Sequence, residues 1–121
     1  MSFFSHDPKR DELKQIPLFH DLPREKLDLL ARTADIVEVP AGTELIREGD
    51  SGHEFFAIAD GEVEISKGGE TVATEAAGDV FGELALLHGI PRTATVRTTA
   101  PSRLFVLNAQ AFRSVVADCF A

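Results

Sequence analysis

Residues 54–75 read EFFAIADGEVEISKGGETVATE. The runs Glu54 to Ala59, Glu62 to Ser66 and Thr71 to Glu75 are rich in β-branched or aromatic residues and frequently alternate, which predicts strands. Asp60-Gly61 and Gly68-Gly69 between them are the clearest tight-hairpin signals in the chain. Because neighbours on a regular strand point to opposite faces, Phe55 and Phe56 cannot enter the same core, and one of them is expected to pack beneath helices.

Working outward, the same texture recurs in IVEVP (Ile36 to Pro40), TELIREG (Thr43 to Gly49), TATVRT (Thr93 to Thr98) and RLFVL (Arg103 to Leu107). These runs are divided by Ala41-Gly42, Gly49-Asp50-Ser51-Gly52, Gly78-Asp79 and Ala100-Pro101. Turn chemistry at nearly even spacing argues for an antiparallel sandwich or barrel. The flanks are helical: IPLFHDLPREKLDLLARTA carries apolar residues at Leu22, Leu27, Leu29, Leu30 and Ala34, with Pro23 in the first turn and Asp21 or Leu22 at the cap. Pro17 separates it from a short leading helix or turn. Asn108 to Phe120 reads as a closing helix capped by Asn108, with Phe112, Val115, Val116 and Cys119 on a shared face.

With 121 residues the chain has the length of one domain and can bury a core without metals or disulfides. Its twenty acidic against twelve basic residues give a formal charge of -8, which argues against a nucleic-acid surface. No apolar run approaches the length of a membrane span, so no membrane insertion is expected. One cysteine, Cys119, cannot form an internal disulfide, and with no signal-peptide pattern the expected compartment is the cytoplasm. His6, His20, His53 and His88 are widely spaced and form no metal motif, so neither a metal nor a cofactor is expected.

One insertion breaks the strand pattern. In FGELALLHGIPRTATV (Phe81 to Val96), the helix formers Glu83 to Leu87 stand between strands, too few to be stable by themselves. Gly82 keeps no side chain between a ligand and the unpartnered amides of Glu83 to Ala85, so the helix start can cradle an anion, with Leu84, Leu86 and Leu87 anchoring the turn. Arg92, returning after the turn, can place a guanidinium over the same anion. Glu83 would repel phosphate; its carboxylate suits a sugar hydroxyl or Arg92 itself. Taken singly, the three residues are better read as a turn glycine, an acid favoured at a helix start and a solvated strand charge.

FGELALLHGIPRTATV closely resembles the phosphate-binding cassette of the cyclic nucleotide-binding domain family, whose members include catabolite-activator-type regulators, kinase regulatory subunits and nucleotide-gated channels. The resemblance extends through IPLFHDLPREKLDLLA, VPAGTELIREGDSG, FFAIADGEVEI and RLFVLNAQAF, nearly the whole chain. It implies a mainly β fold with flanking helices: an antiparallel β-roll, a jelly-roll-like double-stranded β-helix, interrupted by a short phosphate-binding helix. The expected organisation is one domain over 1–121, with an N-terminal helical segment at 1–34, the roll at 35–107 holding the cassette at 81–96, and the C-terminal helix at 108–120.

The resemblance also implies that amides around Gly82, Leu84 and Ala85 hold the exocyclic phosphate, that Glu83 takes the ribose 2'-hydroxyl and that Arg92 pairs with a phosphate oxygen. Thr93 would lie beside phosphate and base, and Val72 and Ala73 would help wall the sugar and base. The expected ligand is cyclic AMP, with cyclic GMP as competitor because Thr93 offers a hydroxyl to a guanine amino group. The implied role is a non-enzymatic sensor with no catalytic residues, whose helices signal to a partner or effector domain. The alternative is a structural or protein-interaction domain of the same fold that binds no nucleotide. Since the chain ends one residue after Phe120, the base edge is expected to be partly open to water or covered by a partner.

Overall fold

A computed structural model describes residues 8–120; the outermost parts of the expected N-terminal segment, including His6, and the final residue lie outside the described residues. Two four-stranded antiparallel sheets carry the fold. The strands are β1 (Asp35–Val39), β2 (Glu44–Ile46), β3 (Glu54–Asp60), β4 (Glu62–Lys67), β5 (Glu70–Ala76), β6 (Val80–Phe81), β7 (Thr95–Thr98) and β8 (Ser102–Asn108). Their orders are β1-β8-β3-β6 and β2-β7-β4-β5, and each sheet keeps two edges, so the strands form an open jelly-roll-like β-roll rather than a closed barrel.

Helices flank the roll: α1 (Pro8–Lys14), a 3-10 turn at Pro17–Phe19, and α2 (Arg24–Thr33) before it, with the short α3 (Glu83–His88) inserted between β6 and β7. After β8 come α4 (Ala109–Ala111), a π-helical stretch Phe112–Val116 and a 3-10 stretch Ala117–Phe120. The expected regular closing helix is therefore one α turn that changes winding twice. Its cap is as the sequence indicates, since Asn108 Oδ1 accepts the Ala111 N–H at 2.8 Å. The cap of α2 differs: Pro23, with φ -57° and ψ 153°, occupies it in place of Asp21 or Leu22. A proline has no N–H to leave unsatisfied there, and its fixed φ suits the position.

Strand β3 separates two cores. Phe55 and Ala57 face the helices and join Phe105, Leu107, Phe112, Leu13, Phe19 and Leu30. Phe56 and Ile58 face the interior of the roll with Val63, Phe81, Val96 and Leu104. Both phenylalanines are thus buried, on opposite faces, as the strand alternation requires. Phe55 lies 5.0 Å from Phe112 between ring centroids, while Phe56 stacks on Phe81 at 5.0 Å and 9°. The Phe56–Phe81 pair fixes β6, a strand of two residues too short for the sequence to announce, and β6 delivers the chain into α3.

Candidate functional site

The chain leaves Phe81 through Gly82, whose φ of 94° is in the left-handed region. A β-carbon there would also come within 3.1 Å of both Arg92 Nη1 and the Glu54 carbonyl oxygen, so the position has two independent reasons to be glycine. α3 then begins at Glu83, with no side chain capping its start. Its first-turn amides lack intrahelical partners by construction. The helix is anchored by Ala85, which is buried, and by Leu86, which packs against the helix-side core. Leu84 and Leu87 correct the sequence expectation: they are 47% and 37% exposed, because six residues of helix cannot turn three leucines into one face.

Arg92 is the buried charge of the site, 7% exposed. Its Nη1 donates to the Gly82 carbonyl at 2.9 Å and its Nη2 to the Glu54 carbonyl at 2.6 Å. Its backbone is pinned to the preceding loop by Arg92 N to Asp50 O at 2.8 Å and Gly49 N to Arg92 O at 2.9 Å. Burial lowers the guanidinium's pKa from its ordinary value, and the charges of Glu54 and Glu83 oppose that shift. A guanidinium retains its charge under such a perturbation. Two of its five N–H donors are used internally, leaving donors for an anion.

Gly52, in the turn that divides two strand runs, makes this placement possible. An added β-carbon would stand 2.7 Å from Ala85 Cβ and 2.9 Å from Arg92 Nε, so any side chain at Gly52 would displace either the helix or the guanidinium.

Gly82, Glu83, Leu84, Ala85 and Arg92 line a cleft of about 280 Å³ that also includes Ile46, Ile65, Lys67, Val72, Glu75, Val80, Thr93 and Val96. Gly82, Glu83, Leu84, Ala85, Arg92, Thr93 and Val72, all named from the sequence, line this one cleft. Ala73 is not among the lining residues. Its register partner on β4 is Ile65, which does line the cleft; a β-bulge follows, because Ser66 pairs with Thr71 and leaves Val72 as the extra residue on β5. Bulges re-aim side chains, and this one gives the cleft Val72, which is 54% exposed.

Sequence reasoning missed Glu75. It lines the cleft, its Oε2 is buried without a hydrogen-bond partner among the described residues, and its pKa is pushed up to about 7 by burial first, then by the charges of Asp79 and Glu83. An acidic residue near the end of a strand carries no motif; a signal exists only in its position four residues before the Asp79 that closes the turn. The combination of an apolar wall, a buried guanidinium, free helix-start amides and two carboxyl groups suits a small molecule with one anionic end and a hydroxyl-bearing remainder. Among the described residues, no group of three or more His, Cys, Asp or Glu is arranged to hold a metal.

Residues 36–119 match the family described as "Cyclic nucleotide-binding domain". A cAMP-dependent protein kinase regulatory subunit of Yarrowia lipolytica is 37% identical over 106 residues, covering 86% of this chain and 28% of that protein. A cGMP-dependent protein kinase of Caenorhabditis briggsae is 32% identical over 106 residues, covering 88% of this chain and 14% of that protein. The chain thus spans well under a third of the curated relatives it matches. Among solved structures, the regulatory domain of Toxoplasma gondii PKA crystallised with cAMP superposes with a TM-score of 0.84 at 33% identity, covering 97% of this chain and 48% of that one.

Proposed function

The chain belongs to the cyclic nucleotide-binding domain family, and from that premise we propose that it is a non-enzymatic sensor of cyclic AMP, formed as one domain over 1–121. The observation that carries this reading is Arg92: a buried guanidinium held over the start of α3 by the Gly82 and Glu54 carbonyls, with donors to spare. The phosphate is received by Arg92 and the amides around Gly82, Leu84 and Ala85, at the positions that the family resemblance assigns to them. Glu83, at the first position of α3, accepts the ribose 2'-hydroxyl. Thr93 stands beside phosphate and base, and Val72, with its neighbour Ala73, belongs to the wall of the sugar and base.

Cyclic AMP is favoured over cyclic GMP because the regulatory subunits among the relatives are cAMP-dependent and the Toxoplasma domain is cAMP-bound. A cGMP-dependent kinase among the relatives, and the exposed Thr93 hydroxyl, keep cyclic GMP as the competitor. Binding is passed on by movement of α3 and the flanking helices to an effector protein, for which the relatives suggest a protein kinase. The compartment is the cytoplasm; no helix among the described residues is long and apolar enough to cross a membrane. Such a sensor requires that the ligand bind one helix arrangement more tightly than another, since equal affinity shifts no equilibrium.

Calorimetric titration with cyclic AMP and with cyclic GMP tests the reading. Saturable heat, stronger with cyclic AMP, is the expected result. A strong preference for cyclic GMP reverses the ligand order, and no binding of either replaces the sensor with a structural or protein-interaction domain.

A further inference from the structure

We propose that Glu75 is a further ligand-binding residue of the cleft, meeting the nucleotide as a neutral acid whose carboxyl O–H donates to an acceptor on the nucleoside half, with the proton taken from solvent as the ligand enters. This rests on the cyclic nucleotide reading above. It assigns a polar contact outside the cassette, on a wall otherwise made of Val72, Val80 and Ile65.

Glu75 sits on β5 opposite Val63, a residue of the roll's interior core, and this register turns its side chain toward the cleft that it lines. Its Oε2 is buried and has no hydrogen-bond partner among the described residues. Buried polar atoms are nearly always paired, so an orphan on a ligand cleft marks a place where the ligand supplies the partner.

The surrounding charges favour the neutral form. Asp79 lies in the turn after β5, where its Oδ2 accepts the Ala76 N–H at 2.9 Å, and Glu83 faces the site from α3. On β4, the carboxylates of Glu62 and Glu64 are engaged by the hydroxyls of Thr99 and Thr71. Lys67 of β4 and Arg92 line the same cleft, and neither forms an ion pair with Glu75 among the described residues. Burial and the two facing carboxylates already raise Glu75 to about 7. A ligand phosphate adds another negative charge to the same low-dielectric space, so binding the ligand and binding the proton favour each other.

The size of the effect follows from that titration. A group titrating at about 7 is roughly nine-tenths protonated at about pH 6 and one-tenth at about pH 8. If only the protonated form is competent, Kd weakens by about tenfold between those conditions. The experiment is calorimetric titration of cyclic AMP into the parent chain, Glu75→Gln and Glu75→Leu at about pH 6 and about pH 8, in buffers of low and high ionisation enthalpy.

The parent is expected to weaken about tenfold toward high pH and to take up roughly half a proton per ligand near pH 7. Glu75→Gln keeps a donor without an ionisation, so it should take up no proton there and bind at high pH as tightly as the parent does at low pH. Glu75→Leu should also lose the pH dependence but bind about three- to tenfold more weakly than Glu75→Gln, for want of the hydrogen bond. A parent that binds with no proton uptake, a Glu75→Gln chain that keeps the parent's pH profile, or equal affinities for the Gln and Leu variants would each overturn this inference while leaving the nucleotide reading intact. A parent that binds no cyclic AMP at either pH overturns both.

Discussion

Replacing Arg92 with alanine removes two kinds of interaction at once, and the structure separates their magnitudes. Toward the ligand, the loss is a charge-assisted contact to phosphate, worth roughly 1.5 to 3 kcal/mol, or on the order of ten- to a hundredfold in Kd. Toward the fold, it is the pair of bonds to the Gly82 and Glu54 carbonyls from a side chain only 7% exposed. Gly82 lines the cleft and Glu54 is an exposed residue, so water can reach this region and the destabilisation should stay near about 1 to 3 kcal/mol rather than the larger penalty of a sealed core. At roughly 4 °C per kcal/mol, the free protein should melt about 4 to 12 °C lower.

The assay is cyclic AMP titration beside thermal unfolding of the ligand-free variant, below its own Tm. Arg92→Lys is the informative companion, because an ammonium retains the charge but cannot bridge two carbonyls with a planar fork. It should recover part of the affinity and little of the stability. Arg103 is a poor control despite lying outside the cassette, since it pairs with Glu12 and Glu38; Arg24, with a side chain 70% exposed, serves better. An Arg92→Ala chain that melts lower yet binds with parental Kd would refute the phosphate assignment and leave Arg92 a purely structural residue.

Glu83→Ala should weaken cyclic AMP by about ten- to a hundredfold, and 2'-deoxy cyclic AMP should lose a similar amount on the parent but little more on the variant; additive losses in titration would place the hydroxyl elsewhere. Arg103 donates to both carboxyl oxygens of Glu12, at 2.6 and 3.0 Å, and this hydrogen bonding, against an opposing burial effect, holds Glu12 below its ordinary value of 4.5. A carboxyl depressed in the folded state stabilises above its unfolded value, and that contribution disappears as pH falls through the folded value. Between about pH 5 and about pH 3, the parent should therefore lose up to about 1 kcal/mol more than Glu12→Gln, read from melting curves, and parallel curves would count against the pair. Asn108→Ala should cost about 1 kcal/mol by removing the bond to the Ala111 N–H, with the loss visible as faster amide exchange in 109–116 before the strands; uniform exchange would argue that the cap is immaterial.

The legible features were those with a local cause. The hairpin at Gly68-Gly69, the opposite faces of Phe55 and Phe56, the Asn108 cap and the Gly82–Arg92 contact each follow from backbone geometry or side-chain chemistry within a short stretch. Asp60-Gly61, expected as a second hairpin, instead carries the chain from β3 in one sheet to β4 in the other, because β3 already has β8 and β6 on its two sides. Boundaries followed less well. TATVRT is expected to pair from Thr93, but the strand begins at Thr95, and Arg92 before it bonds through its backbone to Gly49 and Asp50. TELIREG narrows to Glu44–Ile46, whose pairing with β7 carries a register shift between Glu44 and Ile46. What was not legible is whatever depends on tertiary approach: the bulge that brings in Val72, the exposure of Leu84 and Leu87, the burial of Glu75 and the close contact that makes Gly52 necessary.

Geometry also connects the cleft to the far helices through β3. Arg92 holds the carbonyl of Glu54, the first residue of that strand, and Glu54 pairs in register with Asn108. Asn108 in turn caps the C-terminal segment, so the Arg92 guanidinium and the start of the closing helix are linked through the cross-strand pair Glu54–Asn108. The next residue, Phe55, faces Phe112 and Phe120 in that segment. A regular α-helix in this place would resist repositioning as one rigid rod. Here the backbone passes from α to π to 3-10 winding between Ala109 and Phe120, and its hold on the roll comes from Phe112, Val115 and Val116 packing on β3 and α2 rather than from an uninterrupted ladder. Contiguity by itself transmits nothing; coupling needs an element with two arrangements that the ligand distinguishes. The segment after Asn108 fits that requirement better than the sheets do, because changing its winding disturbs few paired backbone groups, whereas shifting β3 would break register with both β6 and β8.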